Sequence, residues 1–141
     1  MRYFLLIVPA LCFISACSPA ANDMDANKTI GPAQVTGTLS YRERILLRPG
    51  TVAEVWLLDV SKMDVAAVEL AHQVIENPGA PPIPFALGYD EADIDERLSY
   101  SVRATIKNGN RLLFTTDTHY PVLTRGAGDT VEIELKAIPQ D

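Results

Sequence analysis

A chain of 141 residues with 18 acidic against 12 basic side chains carries a formal charge of −6 at neutral pH. That length suits one small domain with terminal extensions. The acidic balance, without a lysine or arginine run, leaves no electrostatic basis for binding nucleic acid or anionic lipid headgroups.

In chain order, Arg2 precedes an apolar stretch from Tyr3 to Ile14. It is about a dozen residues long, short of the roughly 20 that a spanning helix needs and suited to the core of a secretory leader. Ile14-Ser15-Ala16-Cys17 closes it, and the small Ser15 and Ala16 let an extended backbone enter a peptidase cleft. The pattern resembles a bacterial lipoprotein signal peptide with its lipobox. The resemblance implies cleavage before Cys17 and a covalent lipid on that cysteine, with no other cofactor. Cys12 competes for the role, but bulky Leu11 stands before it. Loss of residues 1–16 removes Arg2 and takes the formal charge from −6 to −7. It leaves no free thiol, disulfide or cysteine metal site. A multiply acylated cysteine holds a chain to the membrane by burying CH₂ groups at about 0.8 kcal/mol each. Ser18 stands where, in well-studied didermal bacteria, an aspartate retains a lipoprotein in the inner membrane. By that sorting rule the outer membrane is expected, with the protein facing the periplasm.

Residues 17–33 are small and polar, the composition of a tether that cannot bury apolar area. Residues 34–141 form the expected domain. Val35, Gly37, Leu39 and Tyr41 alternate with Thr36, Thr38 and Ser40, which predicts a half-buried strand. Val52 to Val60 is apolar on both faces apart from Glu54 and Asp59, which predicts a central strand covered on each side. Val65 to Ile75 fits either a strand or a helix face, and its neighbours favour a strand. Asn77-Pro78-Gly79 is a breaker. Ile83, Phe85, Leu87 and Tyr89 alternate again, and Pro81, Pro82 and Pro84 mark this as an edge strand, because proline cannot donate to a ladder. Tyr100 to Lys107 alternates. Asn108-Gly109 is a hairpin signal leading to a strand from Arg111 to about Thr116. Val131, Ile133 and Leu135 alternate with Glu132, Glu134 and Lys136. Seven or eight short strands separated by turns predict an all-β domain, a single antiparallel β-sandwich of immunoglobulin- or transthyretin-like architecture. The immunoglobulin Cys–Trp–Cys pattern is absent.

Several segments in order resemble the YbaY/YscW lipoprotein family, the latter known as a type III secretion lipoprotein chaperone. They are Val35-Thr36-Gly37-Thr38-Leu39-Ser40-Tyr41-Arg42-Glu43-Arg44, Leu47-Arg48-Pro49-Gly50 and Val55-Trp56-Leu57-Leu58-Asp59-Val60-Ser61. Ile83-Pro84-Phe85, Tyr100-Ser101-Val102-Arg103-Ala104 and Leu113-Phe114-Thr115-Thr116-Asp117 follow. The resemblance spans nearly the whole domain. It implies a lipid-anchored β-sandwich, and in one branch a pilot that stabilises an outer-membrane secretin ring. It supplies no catalytic residues.

The residues themselves offer few sites. Asp90, Glu91, Asp93, Asp95 and Glu96 place five carboxylates in seven residues. Asp90, Asp93 and Asp95 are candidate calcium ligands, but no EF-hand spacing is present, and a solvated acidic loop is the simpler reading. His72 and His119 lie in no zinc motif. Ser61 and Ser99 lack the Gly-x-Ser-x-Gly context of a nucleophile, so no enzyme is expected. Arg42 and Arg44 can contact a partner, or close a strand end in a surface pair with Glu43. Trp56, Phe85 and Phe114 are core candidates. The edge strand, through Ile83, Phe85 and Leu87, can accept a client by strand addition. The expected role is a non-catalytic accessory or chaperone-like lipoprotein with an envelope protein client such as a secretin. The alternative is a small-ligand or cation binder, distinguished by the acidic run.

Overall fold

The computed structural model describes residues 33–140; the expected leader, Cys17 and nearly all of the expected tether lie outside them. Eight strands follow in order: β1 (Ala33–Tyr41), β2 (Thr51–Asp59), β3 (Val68–Glu76), β4 (Ile83–Tyr89), β5 (Tyr100–Asn108), β6 (Arg111–Thr115), β7 (Tyr120–Val122) and β8 (Thr130–Ala137). A single 3₁₀ turn, Glu91–Asp93, stands between β4 and β5. The all-β expectation holds, and the ambiguous segment after Val65 is a strand.

The architecture departs from the expected sandwich in two respects. The strands join in one continuous sheet, in the order β3-β2-β5-β6-β8-β1-β4, with β7 on β5. Its halves meet where β6 pairs with β8 through Phe114–Ala137 and Thr115–Lys136. The two ends of the sheet, β3 and β4, approach each other, so the sheet is nearly a closed barrel. The sheet is also mixed: β1 runs antiparallel to β4 but parallel to β8, from Thr36–Thr130 to Tyr41–Leu135. No hairpin signal reports a pairing between strands so far apart in sequence.

The inner face forms one core, with Val35 and Leu39 of β1, Val55 and Leu57 of β2, and Ile133 and Leu135 of β8 at 1% exposure or less. Burial of these side chains, at roughly 25 cal/mol per Å² of apolar surface, holds the wrapped sheet together. β2 is central in the sheet, yet only one of its faces is buried. Val52, Glu54, Trp56 and Leu58 are half-exposed on the outside, which corrects the expectation of cover on both sides. Trp56 is accordingly not a core residue. Its cross-strand partner is His72, and the two rings stack with centroids 5.1 Å apart and planes 7° from parallel. Phe114 is buried as expected, stacked on Tyr41 at 4.4 Å.

The Asn108-Gly109 signal marks the β5–β6 hairpin with a shift of one position. Asn108 pairs with Arg111, so Gly109 and Asn110 form the two-residue loop. Gly109, with φ +58, takes the first central position of a type II′ turn, where positive φ is required.

The barrel has two poles. The start of β1, the end of β4 and the 3₁₀ turn lie at one, because Ala33 pairs with Tyr89. The β1–β2 loop (residues 42–50), the β3–β4 loop (residues 77–82) and the β5–β6 turn lie at the other, because Thr51 pairs with Asn108 and Val52 with Glu76. The chain therefore enters the described domain at the first pole, called proximal below, and the β1–β2 loop marks the distal pole.

Candidate functional site

The structure separates the residues that the sequence singles out. β4 is an edge strand, but Ile83, Phe85 and Leu87 are 1%, 5% and 1% exposed and point into the barrel. They form core rather than a docking surface, and the strand's alternation already carried that signal. The backbone donors of Pro84, Ala86 and Gly88 fall on the side away from β1. Proline removes one of them, and the Ala86 amide donates to Gln73 Oε1 of β3 at 2.8 Å. The edge is thus partly occupied by the barrel's own closing seam.

The acidic run is engaged within its own loop. Asp90 Oδ1 accepts from the Ala92 amide at 2.9 Å and caps the 3₁₀ turn. Asp95 accepts from the Arg97 amide and guanidinium, with Arg97 Nη2 at 2.6 Å from Asp95 Oδ2. The hydrogen bond from the Arg97 side chain, then that from its amide, hold the Asp95 carboxyl down at about 2. The Asp93 carbonyl faces the Tyr100 hydroxyl at 3.4 Å. Among the described residues no three His, Cys, Asp or Glu side chains converge on a point that could hold an ion. Ser61 is a loop staple: it donates to Asp59 Oδ1 at 2.5 Å and accepts from the Ser99 amide at 2.8 Å. His72 is on the outer face, stacked on Trp56.

Arg42 and Arg44 sit at the start of the β1–β2 loop. Arg42 pairs not with Glu43 but with Glu134 of β8, in a two-pronged contact at 2.7 and 3.3 Å. Arg44 is exposed and makes no ion pair among the described residues.

Beyond Arg44 lies the feature that the sequence reading passed over. Ile45 and Leu46 are 52% and 85% exposed, on a loop whose other end is rigidly held. Pro49 and Gly50 occupy the central positions of a turn closed by the Thr51 amide on the Arg48 carbonyl at 3.2 Å. Gly50 has φ +81, as a type II turn demands at its third residue. The buried Thr51 donates through Oγ1 to the same carbonyl at 2.7 Å. Asn77 Oδ1 accepts from the Gly50 amide, and Asn108 Nδ2 donates to the Pro49 carbonyl. Leu47 packs against the core. These restraints hold Ile45 and Leu46 outward beside two grooves. One, of about 230 Å³, is lined by Ile45, Leu46, Leu47 and Leu113 with Arg48 and Arg111 on its rim. The other is walled by Leu46, Leu47, Pro49 and Gly79. The legible signals were an Ile-Leu-Leu run between two strands, flanked by arginines, and a Pro-Gly turn after it.

Exposed apolar side chains beside a groove are the kind of surface feature at which interaction sites occur. Comparison with known proteins places the chain within a class. Residues 31–135 match the model of the family described as type III secretion system lipoprotein chaperone (YscW). The chain is 31% identical over 132 residues to the uncharacterized lipoprotein YbaY of Escherichia coli K12, covering 90% of this chain and 68% of that protein. It is also similar to the structure of an alternative pilotin from the type II secretion system of Vibrio cholerae. That match has 38% identity and a TM-score of 0.74, over 78% of this chain and all of the pilotin chain. The chain belongs to the YscW lipoprotein family.

Proposed function

We propose that this chain is a non-catalytic, lipid-anchored accessory lipoprotein of the bacterial envelope that engages a secretin-type protein from the periplasmic face of the outer membrane. The observation that carries this reading is the pilotin match, whose 38% identity extends over the whole length of that chain. The lipobox at Cys17 and Ser18 supports the anchor and its outer-membrane destination. Residues 17–32 would then serve as the tether, and the barrel from Ala33 onward as the binding domain.

The test is membrane fractionation with in-cell crosslinking of the full chain, followed by mass spectrometry. The expected result is outer-membrane fractionation and enrichment of a secretin-type protein, both lost in Cys17→Ala. Recovery in the soluble fraction of the unaltered chain, or equal background capture from both proteins, would overturn the reading.

A further inference from the structure

The charges of this acidic protein are unevenly placed. The proximal pole carries Asp90, Glu91, Asp93, Asp95 and Glu96 against Arg97 in a single loop. The distal pole reverses the sign. Its strand ends and loops hold Arg42, Arg44, Arg48 and Arg111, with Glu43 and Glu76 as opposing charges and Glu134 matched to Arg42. Only Arg42 of these four is in an ion pair among the described residues. All four are arginines, the cation that loses least on desolvation and meets carboxylates with a planar fork. Arginine is accordingly enriched at protein interfaces, where lysine is depleted.

The same pole bears Ile45 and Leu46, the grooves beneath them and the hydrogen-bonded turn that holds the far end of their loop. Ordering a loop on binding opposes association, and a loop already fixed avoids that cost. An apolar projection with an arginine rim selects a partner that offers both apolar anchors and carboxylates. Elsewhere the acidic surface repels such a partner, so the field steers it to the distal pole.

We propose that the distal pole, centred on Ile45 and Leu46 and rimmed by Arg44, Arg48 and Arg111, docks an acidic segment of a protein partner that carries large apolar side chains. This rests on the accessory, partner-binding reading above and adds the place and the chemistry of the contact.

The experiment uses the mature lipidated chain in nanodiscs of zwitterionic lipid and two labelled synthetic peptides read by fluorescence anisotropy. Both peptides share the same leucine positions; one has glutamate at the remaining sites and the other lysine. The expected result is saturable binding of the glutamate peptide, at least about tenfold tighter than the lysine peptide. It should weaken sharply at about 0.5 M salt, where screening shortens the reach of charges to a few ångströms. Leu46→Glu should abolish binding, and the double variant Arg44→Glu with Arg48→Glu should reverse the preference. Neither should move the melting temperature, because these side chains are exposed. Equal affinity for the two peptides, or undiminished binding in Leu46→Glu, would overturn the proposal. So would a concentration-dependent dimer that Leu46→Glu dissolves without any peptide binding, since that would assign the pole to a second copy. In cells, a secretin-type protein that crosslinks to the unaltered chain and equally to Leu46→Glu would sink this inference while leaving the accessory function standing. Absence of any such capture from the unaltered chain would instead remove the function.

Discussion

Gly37 shows how one residue position can be fixed by its neighbours on both sides. It lies on β1 opposite Phe85 of β4 and Val131 of β8. A Cβ there would stand 1.9 Å from the Val131 carbonyl oxygen and 2.8 Å from Phe85 Cζ. The first clash is with backbone in a paired strand, so rotamer adjustment cannot relieve it. Gly37→Ala should therefore destabilise by about 3 kcal/mol or more, the upper end for overpacking, seen as a lower urea midpoint. Tyr41 presents the opposite case. Its hydroxyl is buried without a hydrogen-bond partner, and burial raises its pKa. Tyr41→Phe keeps the stack on Phe114 and removes a desolvated polar group, so stability should stay level or rise by up to about 1 kcal/mol. A folded-state pKa above the unfolded value means that stability is complete below about pH 10 and falls as pH rises past it. The phenylalanine variant should accordingly resist alkaline unfolding better. Asp95 titrates in the other direction. Held at about 2 by Arg97, it contributes stability above the ordinary aspartate value of about 3.9 and loses it as pH falls toward 2. Solvent screens this exposed pair, so its effect is local. A carboxyl-carbon NMR titration should find the midpoint near 2, and Arg97→Ala, which keeps the amide donor, should raise it part of the way toward the usual range.

At the scale of the element, β4 separates two meanings of an edge strand. Its prolines and alternation made the edge legible in sequence, but the side chains that alternate are those that the barrel buries. Phe85→Ala should cost about 3–5 kcal/mol through the cavity it leaves, measured as a loss of unfolding free energy in denaturant. Any loss of partner binding in that variant would follow from unfolding. A partner-binding variant must instead come from exposed residues such as Leu46, whose replacement leaves the melting temperature in place. β2 teaches a related lesson. A run that is apolar on both faces predicts cover on both, yet the outer face holds a half-exposed Trp56 whose stacking partner is His72. Aromatic cross-strand pairs of this kind, worth roughly 0.2–1 kcal/mol each, stabilise an uncovered face without a second layer.

For the whole molecule, the division between anchor and domain gives a clean expectation. If residues 17–32 serve only as a tether, Cys17→Ala should release the protein from the membrane with no change in melting temperature. A shift would show that the anchor region contributes to the fold. The polarity of the barrel adds to this picture: the acidic pole lies where the chain enters, and the arginine-rimmed apolar pole lies across the barrel.

The sequence by itself raised the expectation of a leader ending before Cys17, and it determined the all-β class, the approximate span of seven of the eight strands, the β5–β6 hairpin and the family. Each of these depends on local pattern: apolar length, period-two alternation, Asn-Gly and proline chemistry, and the order of motifs. Tertiary structure alone decided that β1 and β8 run parallel, that the sheet wraps toward closure, and which face of β2 meets the core. It also decided that Arg42 pairs with Glu134, 92 residues away, rather than with adjacent Glu43. The distal site falls in the same group. Ile45-Leu46-Leu47 reads as one apolar run, and only the tertiary structure divides it into a half-buried Leu47 packed on the core and two exposed side chains. Alternation reports which residues share a face, but the side that becomes interior depends on contacts between segments far apart in the chain.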